Sequence, residues 1–333
     1  MINRTIIRLK IVQLIYAFYQ NGGKDIKTSE KELLFSLSKA FDLYNYLLLL
    51  MVDVTKIAAE QIAEQEELNK ITHRDIQFSH KFINNRFACQ LAINEQLKEF
   101  IDNHKRTWMN DADYLKKLLA DIYDSDYYKE YMDSDEDDYL HDRELWRKLY
   151  KNIIMKDTRI DEVIEDKSLY WNDDKEVVDT FVLKTIKRFE EKNQSKQELL
   201  PEYDNEEDKE YARKLFRSTI MNADEYQHHM SEASRNWDFS RLAYMDIVIM
   251  QIAIAEMMTF PSIPISVSIN EYVEIAKLYS TPRSGSYING MLDAIARNLV
   301  KTGRLMKHIE PAKEKPQHPK AEKVGGRPRI KKS

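Results

Sequence analysis

Two arginines one helical turn apart, Arg4 and Arg8, and the short run Thr281-Pro282-Arg283-Ser284-Gly285-Ser286-Tyr287 are the residues best suited to recognition chemistry. Residues four apart on a helix share a face, so Arg4 and Arg8 can act together, while Lys10 lies on another face. A guanidinium forks onto two phosphate oxygens, which makes these cations candidates for gripping a nucleic-acid backbone. In the second run Arg283 is a cation, Ser284 and Ser286 offer hydroxyls, and Tyr287 offers a ring. Single-stranded RNA suits that set, because its unstacked bases lie on aromatic faces. Each group also has a plainer explanation: a solvated helix start for the arginines, and a helix–helix turn with Tyr287 packed inward for the loop.

Other constellations point less far. Asp133 to Glu144 places carboxylates at calcium-loop positions 1, 3, 5 and 12 and Leu140 at the eighth, but the sixth is Asp138, where the sharp turn needs glycine. An acidic, solvated helix start accounts for the run better. His228, His229 and Glu232 lack a further ligand at a recognised spacing, so surface histidines are expected and no metal is assigned. Cys89 sits in an apolar pattern and is expected in the core. There is no Walker loop, GxGxxG or HExxH, so neither enzyme chemistry nor a cofactor is expected. Near the end Gly326-Arg327-Pro328 matches the centre of an AT-hook, a weak signal inside a basic tail.

Helices must position these groups. Glycine is absent from Lys24 to Ser284 and proline from Met1 to Leu200, whereas a β-rich chain needs both at its turns. The spacing predicts a first helix from about Arg4 to Gln20, stopped at Asn21-Gly22-Gly23. A capping box, Ser29-x-x-Glu32, then opens a long helix whose apolar positions run from Leu33 to Ile62. Breaks are expected near 70–76, 102–113, 124–142, 156–175 and 192–208. The stretch 311–333 holds four of the eight prolines and is expected to be disordered.

Composition sets the outer limits. Of 333 residues 32% are charged and 43% apolar, with a net charge of −5. Residues 1–50 carry seven Lys/Arg against four Asp/Glu, and 301–333 eleven against three, which leaves −16 between them. Both ends are basic and the middle is acidic, so any nucleic-acid contact is expected at the ends, and the middle is better suited to a basic protein partner. One cysteine permits no intrachain disulfide and makes a reducing compartment the default. The longest apolar run, Tyr46–Val52, falls far short of a span of about 18 residues, and the N-terminus lacks a cleavable signal, so a cytoplasmic protein without a membrane partner is expected.

From Pro264 to Asp293 the chain reads PISVSINEYVEIAKLYSTPRSGSYINGMLD. Upstream stand Trp237, Arg241-Leu242, Asp246 and the run Ile249 to Glu256, and the first helix carries Arg8-x4-Gln13-x2-Tyr16. In this order the residues resemble the NusB family of transcription antitermination factors. The resemblance implies an all-α fold of NusB-type helical bundles, the N-terminal one enlarged by an acidic helical insertion. On that basis 1–71 are N-terminal NusB-like helices, 72–230 the insertion, 231–306 the C-terminal subdomain and 307–333 a basic disordered tail. It implies RNA contact at Arg4, Arg8, Lys10, Arg283, Ser284, Ser286 and Tyr287, and partner contact at Tyr16 and Asp246. Asn289-Gly290 is expected to be structural, the glycine allowing close helix packing. The implied partners are single-stranded boxA-type RNA of ribosomal transcripts, the ribosomal protein NusE, and RNA polymerase with NusA and NusG. Thr5, Ile6 and Ile7 stand where the family usually has more arginine, which leaves open a helical protein-interaction scaffold that has lost RNA binding. NusB-like domains also begin certain ribosomal RNA methyltransferases, but 40 residues after Asp293 leave no room for that catalytic domain.

Overall fold

The computed structural model describes residues 1–23, 25–171, 173–234 and 243–307. Trp237, Arg241-Leu242 and the tail with its Gly-Arg-Pro lie outside them. Among the described residues the regular structure is helical, apart from one parallel bridge between Ile2 and Tyr203. The fold is all-α.

Helix α1 (Arg4–Gln20) is followed by α2 (Ile26–Thr72), 47 residues long and therefore about 70 Å from end to end. Asp25 caps α2 by accepting from the Lys27 and Thr28 amides at 3.0 and 3.3 Å, so the helix opens a turn before the expected Ser29 box. From Asp42 to Met51 every residue of α2 is buried. A helix buried on all sides must be wrapped by neighbours, and the following elements do this.

These are α3 (Arg86–Ala92), α4 (Glu95–His104), α5 (Ala112–Asp124), α6 (Asp126–Asp133), α7 (Tyr139–Asn152), α8 (Arg159–Lys167) and α9 (Lys175–Arg188). Helices α3, α4, α5 and α9 pack directly on α2, and α7 packs on α3 and α9. Tryptophan N–H groups tie two connections to it: Trp108 Nε1 donates to the Tyr46 carbonyl and Trp171 Nε1 to the Lys39 carbonyl, both at 2.7 Å. The Trp108 ring stacks on Tyr46 at 4.2 Å. Two expected breaks, 124–142 and 156–175, contain α6 and α8, whose short apolar repeats are hidden among acidic residues. Asp138 caps α7 through the His141 amide at 2.8 Å, so the acidic run is a helix start.

The remainder is α10 (Glu206–Met221), α11 (Ala223–Ala233), α12 (Tyr244–Thr259), α13 (Ile265–Tyr279) and α14 (Ser284–Lys301). Helices α12, α13 and α14 pack on one another, and α10 joins them to α1 and α2. Helix α12 is buried almost throughout, with Asp246, Gln251 and Glu256 as buried polar residues in it.

Candidate nucleic-acid interface

Glu256 is fully buried and is the centre of a polar cluster. Arg8 donates to it in a fork, from Nε at 2.8 Å and Nη2 at 3.0 Å. Ser268 Oγ donates at 2.7 Å and Tyr272 Oη at 3.1 Å, and Tyr211 donates as well. Burial pushes the Glu256 carboxyl up, but the Arg8 bond and charge with the Tyr211 and Ser268 hydroxyls outweigh it and hold the group below the ordinary range. The remaining Arg8 nitrogen reaches Glu271 at 3.0 Å. Arg8 thus joins α1 to α10, α12 and α13 from within. An ion in the middle of an apolar helix needs a buried partner, so Glu256 inside α12 and Arg8 inside α1 were the signals that could have paired them. The hydroxyls of Tyr211, Ser268 and Tyr272 had no such signal.

Lys10 also faces inward, with Nζ 2.8 Å from Asp174 and 3.1 Å from the Tyr170 carbonyl. Arg4 lies nearer the surface, its side chain 38% exposed, with Nε 3.3 Å from Asp208 and the guanidinium 5.0 Å over the Tyr211 ring. Arg4 and Arg8 therefore share a flank, but carboxylates of α10, α12 and α13 neutralise it.

At the other end, the turn between α13 and α14 is held from below. Asp246 is buried and accepts from Ser280 Oγ at 2.6 Å and Ser284 Oγ at 2.9 Å. Ser284 is enclosed by this contact, whereas Arg283 and Ser286 are exposed and Tyr287 is half-buried. Burial, and then the Asp246 charge, raise the Tyr287 hydroxyl pKa. Arg283, Ser286 and Tyr287 line one side of a cavity of about 590 Å³, with Gly290, Met291 and Ala294 on the same helix. A Cβ built on Gly290 would meet nothing within 4 Å, so this glycine does not serve close helix packing as expected. Tyr16 is half-buried, its ring 5.7 Å from Tyr244.

Two further expectations fail. Cys89 is exposed, because the short α3 turns it away from the core. His229 is buried and lies 3.3 Å from Arg304, while His228 is at the surface. Among the described residues there is no group of three or more His, Cys, Asp or Glu placed to hold a metal. No described helix is long and apolar enough to cross a membrane.

The NusB family model matches residues 177–297, from within α9 to within α14. The transcription antitermination protein NusB of Acetivibrio thermocellus is 37% identical over 120 residues, covering 34% of this chain and 83% of that protein. This chain belongs to the NusB family. NusB of Salinibacter ruber is 39% identical over 99 residues, which span 30% of this chain and 62% of the relative's length. A solved structure of T. maritima NusB is 31% identical, covering 37% of this chain and 87% of that one, with a TM-score of 0.28. The match begins at residue 177, so it includes α10 and α11 as well as α12 and α13.

Proposed function

We propose that this NusB-family protein is a transcription antitermination factor that binds boxA-type RNA of ribosomal transcripts. In this reading it acts with the ribosomal protein NusE and recruits it to RNA polymerase together with NusA and NusG. The observation that carries the RNA part is the α13–α14 turn, where Arg283 and Ser286 are exposed beside the half-buried ring of Tyr287, on a base fixed by Asp246. A fixed turn presents its cation and ring without an ordering cost on binding. Arg4 is the cation of α1 with the most exposure to offer phosphate, and Arg8, Lys10 and Ser284 act by holding the frame. Tyr16 and Asp246 remain proposed partner contacts, Tyr16 through its half-exposed ring and Asp246 through the turn it shapes. The family match and the packing of α1 on α10 and α12 support drawing the acidic insertion more tightly, around residues 73–174.

The test is single-stranded RNA binding by Arg283→Gln and Tyr287→Ala. A base stacked on Tyr287 is worth about 1–3 kcal/mol, so Tyr287→Ala is expected to weaken binding accordingly. Thermal stability is measured alongside. A large stability loss with unchanged affinity per folded molecule would make Tyr287 a packing residue.

One observation favours a second reading, a helical protein-interaction scaffold without RNA binding. Arg8 and Lys10 are both committed to interior carboxylates, which leaves α1 little free cationic surface. Absence of RNA binding by the wild-type protein, alone and with NusE, would select that reading.

A further inference from the structure

The acidic sum over the middle of the chain conceals one place where cations gather. A cleft of about 560 Å³ lies between α7, the end of α9 and the loop after it. Its cations are Arg143, Lys187, Arg188 and Lys196, against the carboxylates of Glu190 and Glu198. Glu190 is drawn to Lys192 at 2.9 Å, whereas Lys187, Arg188 and Lys196 form no ion pair with any described residue. Lys184, Lys187 and Arg188 fall at i, i+3 and i+4 on α9, where like charges repel. Placement in the last helical turn, opposite the dipole, accounts for Lys187 and Arg188. It does not account for Arg143 and Lys196, which converge from other elements.

The floor of the cleft is fixed. Gln90 Nε2 donates to the carbonyls of Glu190 and Gln194, both at 3.0 Å, and Asn94 Nδ2 to that of Gln197 at 2.7 Å. Gln197 Oε1 accepts from the Glu190 amide and from Asn193 Nδ2, each at 2.9 Å. Arg143 Nη1 donates to the Phe189 carbonyl at 2.7 Å, which orients its guanidinium along the wall. Gln194 adopts φ 47°, ψ −135°, a strained conformation that persists only where its surroundings over-determine it. Four cations on a hydrogen-bonded, polar floor, in a chain whose middle is acidic overall, make a built anion site.

We propose that this cleft binds the phosphodiester backbone of single-stranded RNA, as a second contact separate in sequence from the 281–287 turn. The proposal rests on the reading that the protein binds RNA, and the experiment separates the two. Binding of a fluorescein-labelled single-stranded RNA by the full chain is followed across salt concentrations for wild type, for the triple variant Lys187→Gln/Arg188→Gln/Lys196→Gln, and for Arg283→Gln. Each lost phosphate contact lowers the log–log slope by about 0.7, so the triple variant is expected to lose about 2. Ultraviolet crosslinks within residues 187–196 of the wild type are expected as well. An unchanged slope in the triple variant overturns the cleft, and a lowered slope for Arg283→Gln in the same assay then leaves the turn standing. The reverse pattern supports the cleft and removes the turn. Wild-type protein that binds no RNA overturns both.

Discussion

Arg8 and Arg4 differ by one turn of helix and by everything around them. Arg8 forks onto a carboxylate with no solvent access, and removing one partner of such a pair strands the other charge. Arg8→Ala is therefore expected to destabilise the protein by about 3–5 kcal/mol in urea unfolding, and Arg4→Ala, at a partly exposed pair, by under about 1 kcal/mol. Equal losses would show that Arg8 is not the pin between α1 and α12. Lys10 and Asp174 offer a second measurement. Burial pushes the Asp174 carboxyl up to about 6, with Lys10 opposing. A carboxyl raised in the folded state binds its proton more tightly there. Its contribution is complete below about pH 4 and is lost as pH rises through 6, by at most about 3 kcal/mol. Asp174→Asn is expected to flatten that decline in a pH series of unfolding curves, and an unaltered slope would place the titration elsewhere.

At the scale of elements, the helices were legible where apolar spacing was long and uninterrupted. The Arg4–Gln20 helix and the apolar stripe of the second helix could be read from Leu33 onward, because burial demands that period. The start of α2 could not be fixed, since both Asp25 and the Ser29-x-x-Glu32 box are acceptable caps and only the path of the chain decides. Helices α6 and α8 were hidden because each buries few side chains among many carboxylates. In the candidate interface the exposed turn residues Arg283 and Ser286 were legible, and Arg8 inside an apolar helix was a signal for a buried partner, but the inward direction of Lys10 and Ser284 was not legible. Which side of a helix faces the core depends on elements elsewhere in the chain, more than a hundred residues away for Arg8 and Lys10 and 38 for Ser284. Gly290 gives a direct check at this scale. It lies inside α14, and an added methyl meets nothing within 4 Å, so Gly290→Ala is expected to stabilise by about 0.5–1 kcal/mol. A loss of stability would restore the close-packing role.

Across the whole molecule, α2 joins two kinds of surface. On one side α1 and α10 pack on it and through them connect α12–α14 and the turn at Arg283, and on the other α3, α4, α5 and α9 wrap it. The fold class was legible from the missing glycines and prolines, whereas the manner in which the added helices enclose α2 was not, because enclosure is a property of contacts between distant segments. In the function proposed here, RNA meets the turn, the buried Arg8–Glu256 cluster holds the frame, and the ribosomal partner acts jointly. The most direct test is the affinity of the full chain for boxA-type single-stranded RNA, measured by fluorescence anisotropy with and without NusE. Linked binding is expected to tighten RNA affinity by about tenfold or more in the presence of the partner. Equal affinity in both conditions, or no RNA binding in either, would contradict the account.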